Sequence, residues 1–87
     1  MSQVRATLDL MLTETERAVL DFEARTYRYL GAKEADVRRA FRWSLTRHAQ
    51  VVTALVQRPD ALAYAPMTVR RLQRLTDARR RARSAIR

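Results

Sequence analysis

Apolar positions return along this chain with the period of a helix. Leu12, Val19, Leu20, Tyr27 and Leu30 fall on one helical face, which predicts a first amphipathic helix. Thr13, followed three residues later by Glu16, has the form of a capping box and sets its start. Gly31 reaches positive φ at little cost and is expected to close it. A second, shorter helix is expected from about Ala32 to Phe41, with Val37, Ala40 and Phe41 inward and Lys33, Glu34, Asp36, Arg38 and Arg39 outward. Arg42-Trp43-Ser44 breaks that pattern. Ser44 is a good N-cap for a third helix that runs to about Arg58, where Pro59 stops it. Its inward side is His48, Val51, Val52 and Leu55, with Leu45 at the edge.

Residues 59 to 65 form a connector, with one helical turn begun by Pro59 and an aromatic anchor in Tyr64. Pro66 suits the first turn of a last helix, whose thin seam is Val69, Leu72, Leu75 and Ala82. Beyond Thr76 the seam fades into ARRRARSAIR, expected to be a frayed helical end or one ordered by a partner. The prediction is an all-α bundle of about four helices in a single domain, residues 1–87. Residues 1–11 form an N-terminal extension and 77–87 a basic C-terminal extension.

Composition agrees with this pattern and adds a charge asymmetry. One glycine and two prolines in 87 residues are too few for the turns of an all-β chain, and the length closes one modest core. Without cysteine there is no disulfide framework or thiolate metal site. No apolar run approaches a signal or membrane segment, so a cytoplasmic protein with no membrane association is expected. The net charge is +9. Residues 66–87 hold eight arginines against Asp77, a balance of +7, leaving +2 for residues 1–65. A field so placed draws phosphate-rich partners.

The stretch AFRWSLTRHAQ, residues 40–50, carries the functional expectation. A helix-turn-helix needs a short helix, a sharp turn and a second helix whose inner face is apolar while its outer face can enter a groove. Val37, Phe41, Trp43, His48 and Val51 fall where such a unit is packed, which leaves Thr46, Ala49, Gln50 and Thr53 outside. These are small or neutral: Gln50 can pair with adenine, and threonine can meet a thymine methyl or a phosphate. Arg47 on the flank can reach guanine or phosphate, so the base-reading set is Thr46, Arg47, Gln50 and Thr53. Arg42 occupies the turn position where glycine is usual, a left-handed conformation that costs a non-glycine residue about 1 kcal/mol. The phosphate-binding set is Arg42, Arg70, Arg71, Arg74, Arg79, Arg80, Arg81 and Arg83. Eight arginines with one acid lack the interspersed carboxylates of an ordinary solvated helix face.

Two residues invite an enzymatic reading and do not sustain it. Glu23 lies within the first apolar stripe without a second carboxylate or a metal-ligand cluster, so an internal ion pair is expected, with Arg47 or Arg42 as partner. In that case Arg47 is a strut and not a base reader. His48 shares a helical face with Ser44, yet no orienting acid or oxyanion loop accompanies them. A packed or hydrogen-bonded imidazole is the better account. No catalytic residue, metal or cofactor is expected.

The strings LTETERAVLDFEARTYRYLGAKEADVRRAFRWSLTRHAQ and RPDALAYAPMTVRRLQRLTDARRRAR resemble a family of small actinobacterial and actinophage proteins catalogued as a domain of unknown function. The likeness covers about Leu12 to Arg83. Leu20-Asp21-Phe22-Glu23, Gly31-Ala32-Lys33-Glu34, Thr46-Arg47 and the stretch from Pro59 to Met67 carry it most specifically. The resemblance implies a helix-turn-helix like those of sigma factors and small regulators. The chain departs from the family pattern at Thr26-Tyr27, where paired tryptophans are usual, at Arg42 in place of a turn glycine, and at His48-Ala49 in place of paired tyrosines. The resemblance thus implies a divergent member, encoded by a phage.

The expected function is double-stranded DNA binding, sequence-specific or architectural, by a small transcriptional regulator. The competing expectation is a non-enzymatic helical interaction protein that binds a host or partner protein through its basic last helix. The Leu72 and Leu75 seam leaves a homodimer open.

Overall fold

The capping box expected at Thr13 opens the first helix. Thr13 Oγ1 accepts from the Glu16 backbone N–H at 3.1 Å, and Glu16 Oε1 accepts from the Thr13 N–H at 2.8 Å. Two donors that a helix start would leave unpaired are thereby satisfied. The protein is seen in a computed structural model that describes residues 11–25 and 30–85. Five helices are present among them: α1 (Glu14–Glu23), α2 (Leu30–Phe41), α3 (Leu45–Leu55), α4 (Pro59–Tyr64) and α5 (Pro66–Ala85). The described residues contain no strand.

The central element is α1, which touches α3, α4 and α5. Its Val19 and Leu20 pack with Leu12, with Leu55 and Val56 at the end of α3, with Ala61 of α4, and with Val69 and Leu72 of α5. Removal of these side chains from water is the main favourable term, and polar clamps fix how the helices meet. Arg58 donates to Asp60 through Nη2 at 2.6 Å and Nε at 3.1 Å, and to Glu16 Oε2 at 2.6 Å. Glu16 therefore both caps α1 and ties it to α4. Tyr64 Oη donates to Asp21 at 2.9 Å, so the anchor expected at Tyr64 acts through its hydroxyl, and its ring stays largely exposed. Gln73 Nε2 donates to the Val56 carbonyl at 2.9 Å, giving α3's C-terminal end a partner from α5.

Several expectations are corrected. Gly31 does not end the first helix: α1 stops at Glu23, and Gly31 lies in the first turn of α2 without positive φ. Tyr27 and the side chain of Leu30 lie outside the described residues. Ala40, expected inward, is exposed, while Val37 is fully buried and Phe41 half-buried. Ala40 immediately precedes Phe41, and the rotation of one residue turns it off the inner face,. The third helix ends at Leu55, three residues short of Arg58; Arg58 instead takes the N-cap position of α4. The single turn expected at Pro59 is that six-residue helix, which raises the expected four helices to five.

The last helix extends farther than its apolar seam. Val69 and Leu72 are buried, Leu75 is 47% exposed, and every residue from Asp77 to Ala85 is exposed yet helical. Twenty residues of helix span about 30 Å, and α5 runs on past its contacts in a molecule measuring 52 × 30 × 21 Å.

Candidate nucleic-acid interface

The turn between α2 and α3 is made by Arg42, Trp43 and Ser44. Arg42 has φ of 59°, the one positive-φ non-glycine residue among those described. The left-handed conformation expected there is present. Arg42 is exposed, so only backbone geometry and neighbouring packing hold it. That packing is an aromatic cluster. Phe41 stacks on Trp43 at 5.0 Å between ring centroids and on His48 at 5.8 Å, and Phe22 of α1 meets Phe41 and His48 edge-on at 5.5 and 5.4 Å. Ser44 then caps α3, its Oγ accepting from the Arg47 N–H at 3.1 Å. Aromatic contacts of this kind contribute about 0.5 to 1.5 kcal/mol each beyond burial, enough together to offset the strain at Arg42.

Beneath the turn lies a buried ion pair with partners other than those expected. Glu23 is 4% exposed and His48 2%. Glu23 Oε1 is 2.7 Å from His48 Nε2 and 2.9 Å from Lys33 Nζ. Neither Arg42 nor Arg47 takes part. Arg47 precedes His48 by one residue, and the helical rotation that points His48 inward carries Arg47 outward, where its guanidinium lies 6.0 Å from the Trp43 ring,. Lys33 reaches Glu23 because the first turn of α2 lies beside the end of α1. Burial by itself would raise the Glu23 pKa. Hydrogen bonds from His48 and Lys33, together with their charge, outweigh it and hold the carboxyl below its ordinary value,. An ionised carboxylate only accepts, so Nε2 of His48 is the donor. Nδ1 is then buried without a hydrogen-bond partner among the described residues. The packed, hydrogen-bonded imidazole expected for His48 is what the fold contains.

Thr46, Arg47, Ala49, Gln50 and Thr53 are all exposed on α3. Four of these are neutral side chains. Thr53 Oγ1 donates back to the Ala49 carbonyl at 2.8 Å, which occupies its proton.

The arginines of α5 do not form one set. Arg70, Arg74, Arg79, Arg80, Arg81 and Arg83 are exposed, whereas Arg71 is half-buried and its Nη2 donates to the Glu23 carbonyl at the end of α1. Arg71 thus satisfies an orphan helix carbonyl. An open cleft of about 460 Å³ is lined by Leu45, His48, Ala49, Val52 and Thr53 of α3, by Arg71, Leu72, Leu75, Thr76 and Arg79 of α5, and by Glu23, Arg25 and Lys33. Arg71 and Arg79 are the α5 arginines that line this cleft with α3, and of the two Arg79 is the exposed one. Sequence reasoning placed Lys33 outward and Arg71 among the phosphate-binding arginines and missed their contacts with Glu23, as it missed this cleft, because each depends on how the helices cross.

Among the described residues, no group of three or more His, Cys, Asp or Glu side chains could hold a metal ion, and no helix is long and apolar enough to cross a membrane. Residues 11–84 match a family described as "Protein of unknown function (DUF3263)". No curated protein and no solved structure matches the chain.

Proposed function

The chain belongs to the DUF3263 family, and we propose that it is a non-enzymatic double-stranded DNA-binding protein, a small transcriptional regulator built on a helix-turn-helix. The observation that carries this reading is the turn at Arg42. Its positive φ folds α2 sharply into α3, buries His48 against the aromatic cluster, and leaves Thr46, Ala49, Gln50 and Thr53 outward on a face free of acids and bulky chains. Such a face can approach base edges in the major groove, where Gln50 can pair with adenine and a threonine methyl can meet thymine. Arg47 flanks this face, and the exposed arginines of α5 supply phosphate contacts.

The test is discrimination. Duplexes that bind best are selected from a random pool, and affinities for the selected and the random sequence are compared for the parent, Gln50→Ala and Thr46→Ala. Each variant should keep its melting temperature and lose about 1 to 3 kcal/mol of preference for the selected site. Unchanged preference in both variants would remove α3 as the reading element.

A further inference from the structure

Four exposed arginines on α5 fall into two opposed directions, with Arg80 about 80° to the side of the first,. With about 100° of rotation per residue, Arg79 and Arg83, seven and eleven residues after the buried Leu72, continue its direction to within about 20°. Arg74 and Arg81 point roughly 160° to 180° away from it. Arg79 already lines the cleft opposite Ala49 and Thr53, and Arg83 is one turn farther along the same row. Acidic character divides in the same way. Asp77 stands three residues after Arg74 and four before Arg81, the spacings at which helix side chains are neighbours. The row of Arg79 and Arg83 has Leu75, Thr76 and Ala82 at those spacings and no acid.

We propose that one phosphate backbone of a duplex lies in the fork between α3 and the projecting half of α5, held by Arg79 and Arg83, while Arg74 and Arg81 face away from it. This rests on the DNA-binding reading above and adds the direction from which the duplex enters. A phosphodiester chain fits the fork. The α3 side chains Ala49 and Thr53 are neutral, the row of Arg79 and Arg83 has no acid beside it, the cleft's one carboxylate is the buried Glu23 already paired with Lys33 and His48, and the bases of the same duplex would then lie toward Thr46 and Gln50. Arg71 is already committed to the Glu23 carbonyl and contributes nothing to this row.

Two double variants test the inference at equal charge. Arg79→Gln with Arg83→Gln, and Arg74→Gln with Arg81→Gln, each lower the net charge of +9 by two, and all four side chains are exposed. Binding to a random-sequence duplex is followed by fluorescence anisotropy across a salt series, with circular dichroism melts beside it. The Arg79/Arg83 variant should show a slope of log affinity against log salt reduced by about 1.8, or about 0.9 for each lost contact. The Arg74/Arg81 variant should lose less than about half of that. The two lysine substitutions at 79 and 83 should restore the slope, which separates lost charge from a disturbed helix. Equal losses in the two glutamine variants, or a larger loss from Arg74/Arg81, would overturn the fork and leave DNA binding standing. A parent protein that binds no duplex at the lowest salt would overturn both.

Discussion

Glu23 and His48 stand 25 positions apart in the chain and 2.7 Å apart in the fold. Their hydrogen bond joins the end of α1 to the middle of α3, and Lys33 of α2 closes on the same carboxylate. Three helices thus meet at one buried charge beneath the turn that orients the outer face of α3. Removal of the carboxylate would leave the buried His48 imidazole without its charged partner, which is why the group should be sensitive to single substitutions,.

Glu23→Gln should lower stability by about 3 kcal/mol or more, because the amide replaces one acceptor oxygen with a donor facing Lys33 and His48. Glu14→Gln, on the exposed first turn of α1, should cost under about 1 kcal/mol. Urea unfolding of the two variants measures the difference. Equal midpoints would show that the carboxylate is not held as described.

The same group sets an acid limit. The Glu23 pKa is lowered on folding, so the unfolded chain binds its proton first as pH falls. The stabilisation is fully present above the ordinary carboxyl value of 4.5 and is lost as pH drops through the folded value below it. Measured downward from neutral pH, the Glu23 contribution to unfolding free energy should hold down to about 4.5 and then fall,. In Glu23→Gln the fall should be shallower.

Arg42→Gly should stabilise the protein by about 1 kcal/mol, since glycine adopts φ near 59° without the Cβ clash,. For a domain of this size that corresponds to a rise of about 4 to 8 °C in melting temperature. An unchanged or lowered melting temperature would mean that the Arg42 side chain contributes more than its backbone costs.

Much of this fold was legible in the chain, where a local rule applied. The Thr13 and Glu16 capping box, the Ser44 cap, the proline starts at 59 and 66 and the left-handed Arg42 each follow from a few neighbouring residues, and each is present. The burial of Glu23 followed from its place in an apolar stripe, but its partners did not. Lys33 looked like an outward residue of α2, and only the approach of α2 to the end of α1 brings it in. For the same reason Arg71 could not be told from its neighbours: a crossing of α1 and α5 singles it out. The helix expected beyond Thr76 is present through Ala85 although its seam is absent, in keeping with the strong helix propensity of alanine and arginine,.

Arg71→Gln should cost about 1 to 2 kcal/mol of stability, since the Glu23 carbonyl loses a charged donor,. Arg74→Gln, exposed on the far side of the same helix, should be neutral to within about 0.5 kcal/mol. Thermal melts of the pair decide it, and equal melts would return Arg71 to the pool of surface arginines.

Ending the chain after Thr76 removes residues 77–87, of which the described 77–85 are all exposed, so the core around Leu20, Leu55, Val69 and Leu72 should survive. Circular dichroism should then show helix reduced by the deleted turns alone, with cooperative melting retained. Loss of cooperative melting would mean that the projecting half of α5 packs in a way its exposure does not suggest.

The central claim is that this chain binds duplex DNA, and the most direct measurement is the affinity of the unaltered protein for a random-sequence duplex between about 50 and about 200 mM salt. The account predicts binding at the low end and a linear fall of log affinity with log salt, with a slope of several units, because exposed arginines displace counterions from phosphates. An absence of binding at the lowest salt, or an affinity indifferent to salt, would contradict it and turn the basic face of α5 toward a protein partner.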